Sequence, residues 1–79
     1  MDLVRGLVVR AKSGRDKNGF FVVISCDSEY AYIADGKKRR IEKPKKKNIK
    51  HLFATKTVVQ GDSLKTNRLI RAQLRDFSV

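Results

Sequence analysis

Short apolar blocks alternate with polar, glycine-marked intervals along most of this chain, and only near its end does the period change. Leu3-Val4-Arg5-Gly6-Leu7-Val8-Val9-Arg10 is apolar and β-branched and predicts a first strand; Gly6 inside it marks a bulge or sharp bend. Residues 11–19 hold Gly14 and Gly19 without apolar periodicity and read as a loop. Phe20 to Cys26 is the clearest strand, apolar at consecutive positions and therefore expected to be buried on most of both sides. Asp27-Ser28 supplies a turn, and Glu29 to Ala34 a third strand.

Asp35-Gly36 then predicts a two-residue type I′ hairpin, because both central residues of that turn need positive φ. Its return strand is expected over Lys37 to Lys43, stopped by Pro44, which cannot donate to a ladder. In this register Ala34 pairs with Lys37, Ile33 with Lys38, Tyr32 with Arg39, Ala31 with Arg40 and Tyr30 with Ile41. One face carries Tyr30, Ile41, Tyr32 and Arg39, the other Ile33 with Lys38 and Arg40, and the pattern leaves open which of them is core. Ile49 to Ala54 reads as a short fifth strand.

From Thr66 onward Leu69, Ile70, Gln73, Leu74 and Phe77 recur at three-and-four spacing, with Arg68, Arg71, Arg75 and Asp76 elsewhere. This predicts an amphipathic helix over 66–78 of about three turns, capped by Thr66 or Ser63. Too short to persist alone, it must lay its apolar stripe on the sheet. The expected fold class is mainly β: a small antiparallel β-barrel over residues 1–55, a polar connector at 56–65 and the short C-terminal α-helix, all in a single domain.

Charge changes the picture. Nine of the fourteen residues from Lys37 to Lys50 are lysine or arginine against the single acid Glu42, so this stretch carries +8 of the chain's +11. Lysine runs are commonly no more than solvated surface. This one lies among candidate strands in a 79-residue chain of high net charge, which points to a polyanion that neutralises it, with affinity from counterion release. Lys43 to Lys50 is rich in lysine, which suits sequence-blind phosphate contact; Arg39 and Arg40 are better placed for forked or stacked contacts. Tyr32 beside Arg39 offers either a stacking platform for an unpaired base or a tyrosine closing the core rim.

Other chemistries find little support. At 41% hydrophobic residues the chain is a folded module and not a basic tail, yet a core this small leaves little room for a catalytic cleft. Cys26 is the only cysteine and is expected to be a buried structural thiol. His51, the only histidine, has no cysteine or acidic cluster around it; beside the lysines it is a candidate for stacking or phosphate contact. Gly14 and Gly19 share the first spacing of a nucleotide-binding P-loop, but Phe20 and Phe21 follow where Lys-Ser/Thr is required. The acids are scattered singly, with no general acid–base pair and no nucleophile–base arrangement. No enzyme, cofactor, metal site or small-molecule substrate is expected. The start lacks the layout of a secretory signal, and the longest apolar run is Phe20 to Ile24, so a cytoplasmic protein without membrane attachment is expected.

Gly6 to Val23 resembles a KOW motif, in which a strand with a leading glycine enters a Gly-x-Asp/Glu-Lys-Gly loop and returns in an apolar strand. Gly14, Asp16 and Lys17 stand at the matching positions, while Asn18 replaces the usual glycine and Gly19 follows it. The continuation, Tyr32-Ile33-Ala34-Asp35-Gly36, Lys43-Pro44-Lys45-Lys46-Lys47-Asn48 and Lys50-His51-Leu52, is similar to small bacterial KOW-domain proteins, themselves like KOW-containing large-subunit ribosomal proteins. The resemblance covers residues 2 to about 54 and implies an SH3-like barrel that binds structured RNA, ribosomal RNA above all. It also implies contact by the loop between the first two strands, adding Lys12, Arg15 and Lys17.

The reading is therefore a non-catalytic RNA-binding module acting on ribosomal RNA or the translation apparatus. Its expected contact residues are Lys12, Arg15, Lys17, Lys37, Lys38, Arg39, Arg40, Lys43, Lys45, Lys46, Lys47 and Lys50, with Tyr32 and His51. The alternative is a protein-interaction module that docks through Tyr30, Tyr32 or the terminal helix.

Overall fold

The computed structural model describes residues 3–77; the parts of the expected segments 1–55 and 66–78 that fall on residues 1, 2 and 78 lie outside the described residues. Five antiparallel strands make one sheet in the order β4-β3-β2-β1-β5: β1 Leu7–Ala11, β2 Phe20–Cys26, β3 Tyr30–Ala34, β4 Lys45–Asn48 and β5 Leu52–Val58. β4 and β5 lie at opposite edges, yet a single 3₁₀ turn, Ile49–His51, connects them. Three residues rising about 2 Å each can join two edges only if the sheet curls. The edges are not hydrogen-bonded neighbours, so the sheet stays open.

Consecutive apolar residues in β1 and β2 face opposite ways, and both faces are covered. Val9, Phe21, Val23, Ile33 and Leu52 fill the inside of the curl. Val8, Val22 and Ala34 meet Val59, Leu64 and the helix on the other side. That helix, α1 Asn67–Leu74, is capped by Thr66, whose Oγ1 accepts from the Leu69 amide at 3.1 Å, and it ends in a 3₁₀ turn, Arg75–Phe77. Ile70 and Leu74 are buried, and the Phe77 ring meets Phe20 with centroids 5.4 Å apart. The apolar stripe is narrower than its spacing implied: Leu69 and Gln73 are exposed, since a two-turn helix on a convex sheet touches it along one line.

Gly6 explains how β5 can continue to Val58. Its φ of 92° is the left-handed conformation, and an added Cβ would stand 2.4 Å from the Val59 carbonyl oxygen. Its amide donates to Val23 O and its carbonyl accepts from the Val59 amide, each at 2.8 Å, so one bend ties β2 to the end of β5. The first strand therefore starts after this glycine and not at Leu3. β5 likewise starts at Leu52 after the 3₁₀ turn and passes residue 55, and the expected connector supplies the buried Val59 and Leu64.

The hairpin is the main correction. β3 pairs with Lys45–Asn48, not with Lys37 to Lys43: Tyr30 stands opposite Asn48, Ala31 opposite Lys47, Tyr32 opposite Lys46 and Ile33 opposite Lys45. Gly36 does have positive φ, but Asp35 does not, so no type I′ turn forms. Pro44 precedes the strand instead of ending it. Cys26 is exposed, because β2 runs past a bulge after Val23 to an end that neither core covers; its thiol lies 3.4 Å from Leu3 O.

Packing on one helix line predicts unequal costs for adjacent residues. Ile70→Ala should lose about 2–5 kcal/mol, whereas Leu69→Ala should stay within about 0.5 kcal/mol. Urea unfolding of the two variants checks this, and equal losses would place the helix on a different face.

Candidate nucleic-acid interface

The basic run divides into a loop, residues 35–44, and the strand β4. The loop is tied down at four points. Asp35 Oδ1 accepts from the amides of Lys37 and Arg39 at 2.8 and 2.9 Å, folding the start of the loop around one carboxylate. Gly36 lies flat on α1, where an added Cβ would be 2.4 Å from Asn67 O, and its carbonyl accepts from Arg71 Nη1 at 2.7 Å. Asn67 Oδ1 accepts from the Ile41 amide at 2.9 Å, while its Nδ2 donates to both Glu42 carboxylate oxygens at 2.9 and 3.0 Å. From the other side, Arg39 pairs with Asp16 of the β1–β2 loop at 3.0 Å, with the Asp16 side chain buried.

Apart from Arg39, these ties leave the loop's cations out of ion pairs among the described residues. Among the described residues there are two ion pairs, Arg39–Asp16 and the solvent-exposed Lys65–Asp62. Lys37, Lys38, Arg40 and Lys43 are exposed and carry no ion pair. Lys37 and Lys38 line a cavity of about 200 Å³ together with Arg15, Lys17 and the two acids Asp16 and Asp35, whose carboxylates are engaged by Arg39 and by backbone amides. Lys37 also lines a neighbouring cleft of about 430 Å³ with Arg71 and Arg75 of the helix end. On the far side Lys38, Arg39, Arg40, Lys43 and Lys45 surround a third depression. Arg15, Lys17, Lys37 to Arg40, Lys43 and Lys45 thus form a connected belt.

The remaining candidates are placed elsewhere. Alternation along β4 sends Lys45 and Lys47 to one face and Lys46 to the other. Lys47 Nζ donates to Ser13 O at 2.9 Å, so this half-buried ammonium supports the β1–β2 loop. Lys46 Nζ sits 4.3 Å from the Tyr30 ring centroid. Tyr32 is half-buried opposite Lys46, so the expected Tyr32–Arg39 pairing does not form: the true strand partner lies seven positions further along the chain. Lys12, Lys50 and His51 are exposed towards β5, and the Lys12 amide donates to His51 O at 2.8 Å.

Arg71 and Arg75 were not among the residues expected from sequence, although their four-residue spacing places them on one helix side. What was illegible is that the loop, and not the sheet, packs beside that side. Arg10 and Phe53 were also unforeseen: Arg10 Cζ lies 5.0 Å and Lys12 Nζ 4.4 Å from the Phe53 ring centroid. No family model matches the chain, and no curated protein matches it.

Two carboxylates are held below the ordinary range. Asp27 owes this first to hydrogen bonds from the Tyr30 and Glu29 amides. Glu42 owes it first to the Asn67 amide, then to a backbone amide and the Arg40 charge. A lowered folded-state value means stability that is fully present above the unfolded glutamate value, about 4.3, and lost as pH falls through the folded one. Glu42→Gln should therefore flatten part of the decline in unfolding midpoint on acidification below about pH 4. Midpoints measured by urea unfolding from neutral to acid pH test this; identical profiles would remove the Glu42–Asn67 latch from the account.

Proposed function

We propose that this chain is a non-catalytic RNA-binding module of the KOW type, built on an SH3-like barrel and acting on ribosomal RNA or the translation apparatus in the cytoplasm. The observation that carries the reading is the belt itself: exposed cations on a loop fixed by hydrogen bonds to Asp35, Asn67 and Arg71, where Arg39 alone makes an ion pair among the described residues. Fixing like charges side by side costs free energy in the isolated protein, and phosphates along a polyanion return it through counterion release. Pre-ordering also removes the entropy that a loose lysine run loses on binding.

The KOW part of the proposal is supported by two local features. Asn18, at the position where the motif has glycine, takes the left-handed conformation with φ 69°, so the substitution keeps a glycine-like backbone. The curled five-strand sheet, whose edges are joined by a three-residue turn, is the arrangement from which a small barrel is made. Contact by Arg15 and Lys17 accords with the cavity they share with Lys37 and Lys38.

Charge reversal at exposed belt residues that support nothing else is the test. Lys37→Glu, Lys38→Glu and Lys43→Glu together should lower RNA affinity about tenfold or more, similarly across sequences, and flatten the dependence on salt. Lys47 is left out because its ammonium braces the β1–β2 loop. Unchanged affinity in salt-matched gel shifts would sink the assignment. Partner capture that resists salt and depends on exposed apolar residues would favour a protein-interaction module instead. Crosslinking and sequencing of bound RNA, with a gradient profile, identifies the target; co-migration with the large ribosomal subunit is the expected result.

A further inference from the structure

β5 presents one aromatic ring to solvent. Phe53 is 47% exposed, although it lies in a strand whose neighbour Leu52 is buried at 2%. In the register of the sheet Arg10 stands directly opposite both Phe53 on β5 and Phe20 on β2. The three side chains therefore share one face, in the cross-strand sequence Phe53, Arg10, Phe20. Phe20 lines the cleft that holds Lys37, Arg71 and Arg75. A row of alternating rings and cations thus runs from the β5 edge to the basic belt.

Arg10 is unusual within that row. Its Nε is buried without a hydrogen-bond partner, and its guanidinium makes no ion pair among the described residues. It leans on Phe53, and Lys12 places its ammonium over the same ring. Two cations held at an exposed ring, with no carboxylate paired to either, accommodate a ligand that brings both a flat π-surface and negative charge.

We propose that Phe53, flanked by Arg10 and Lys12, is a stacking site for one unpaired nucleobase of the bound RNA strand. This rests on the RNA-binding reading and adds a single-stranded element to it. Magnitudes favour the exchange. An exposed cation–π contact strengthens an equilibrium by about two- to fivefold, whereas a base stacked on an aromatic side chain contributes roughly five- to a hundredfold. A base therefore displaces the exposed Lys12 ammonium from the ring and frees it for the adjoining phosphate. Arg10, half-buried with its Nε out of contact with solvent, stays in place as the second cation.

The chain has no tryptophan, so Phe53→Trp introduces a unique fluorophore at the site. Titration of this variant with a single-stranded oligoribonucleotide should quench its emission, while a blunt RNA duplex or inorganic polyphosphate bound to the belt should not. Phe53→Ala should weaken binding of the single strand by roughly five- to a hundredfold and leave duplex binding unchanged. Emission unchanged at saturation, with saturation read independently by filter retention, overturns the stacking site alone. Retention of no RNA by the parent chain overturns the binding reading along with it. Phe53→Trp retains an aromatic ring, so the result does not depend on Phe53→Ala folding.

Discussion

Everything in this structure follows from β1 and β2 being apolar on both faces. Val8 and Val22 point one way, Val9 and Val23 the other, and all four are fully buried. A strand pair of this kind requires two covers. The sheet supplies one by curling, so that Ile33 and Leu52 close over Val9 and Val23. The helix and the turn before it supply the other through Ile70, Leu74 and Leu64. In so small a chain neither cover is dispensable, because there is little other apolar area to bury.

The second cover has a consequence for charge. Once α1 is pinned by Ile70 and Leu74, Asn67 and Arg71 on its free side are fixed in space and become anchors for residues 36–42. The loop they hold is the most densely charged segment outside β4, and it is held mainly by hydrogen bonds between backbone and polar side chains. Acids take part sparingly: Asp35 is turned inward onto amides, Glu42 towards Asn67, and Asp16 towards Arg39. The outward charge is therefore left largely uncompensated. That combination of rigid geometry and free charge underlies the proposed function, and it depends on the same packing that completes the core.

Which parts could be read from the chain depended on how local their causes were. Phe20 to Ile24 announced a strand buried on both sides because every residue of that run is apolar, and no partner is needed to see it. Thr66 was legible as a cap because its acceptor serves an amide three residues away. Asp35-Gly36 misled for the converse reason. Its local preference for a tight turn is real at Gly36, but the contest was settled by Asn67 and Arg71, more than thirty residues distant, which draw the loop onto the helix. Lys45–Asn48 has poor strand propensity and pairs because β3 offers it an open edge. Cys26 is exposed where its apolar neighbours predict burial, because burial at a strand end depends on what reaches over it.

Linear order alone carried the positive charge, the β-rich class, the terminal helix and the basic character of the surface, since each depends on residue type or on neighbours within a few positions. Three-dimensional packing alone settled which lysines are free and which are structural, why Arg71 and Arg75 stand beside Lys37, and how Phe53 comes to lie against Arg10. Those relations join residues more than thirty positions apart, some of them across neighbouring strands. No local preference encodes them; they arise because covering two apolar faces with so few residues leaves one way for the remaining segments to meet.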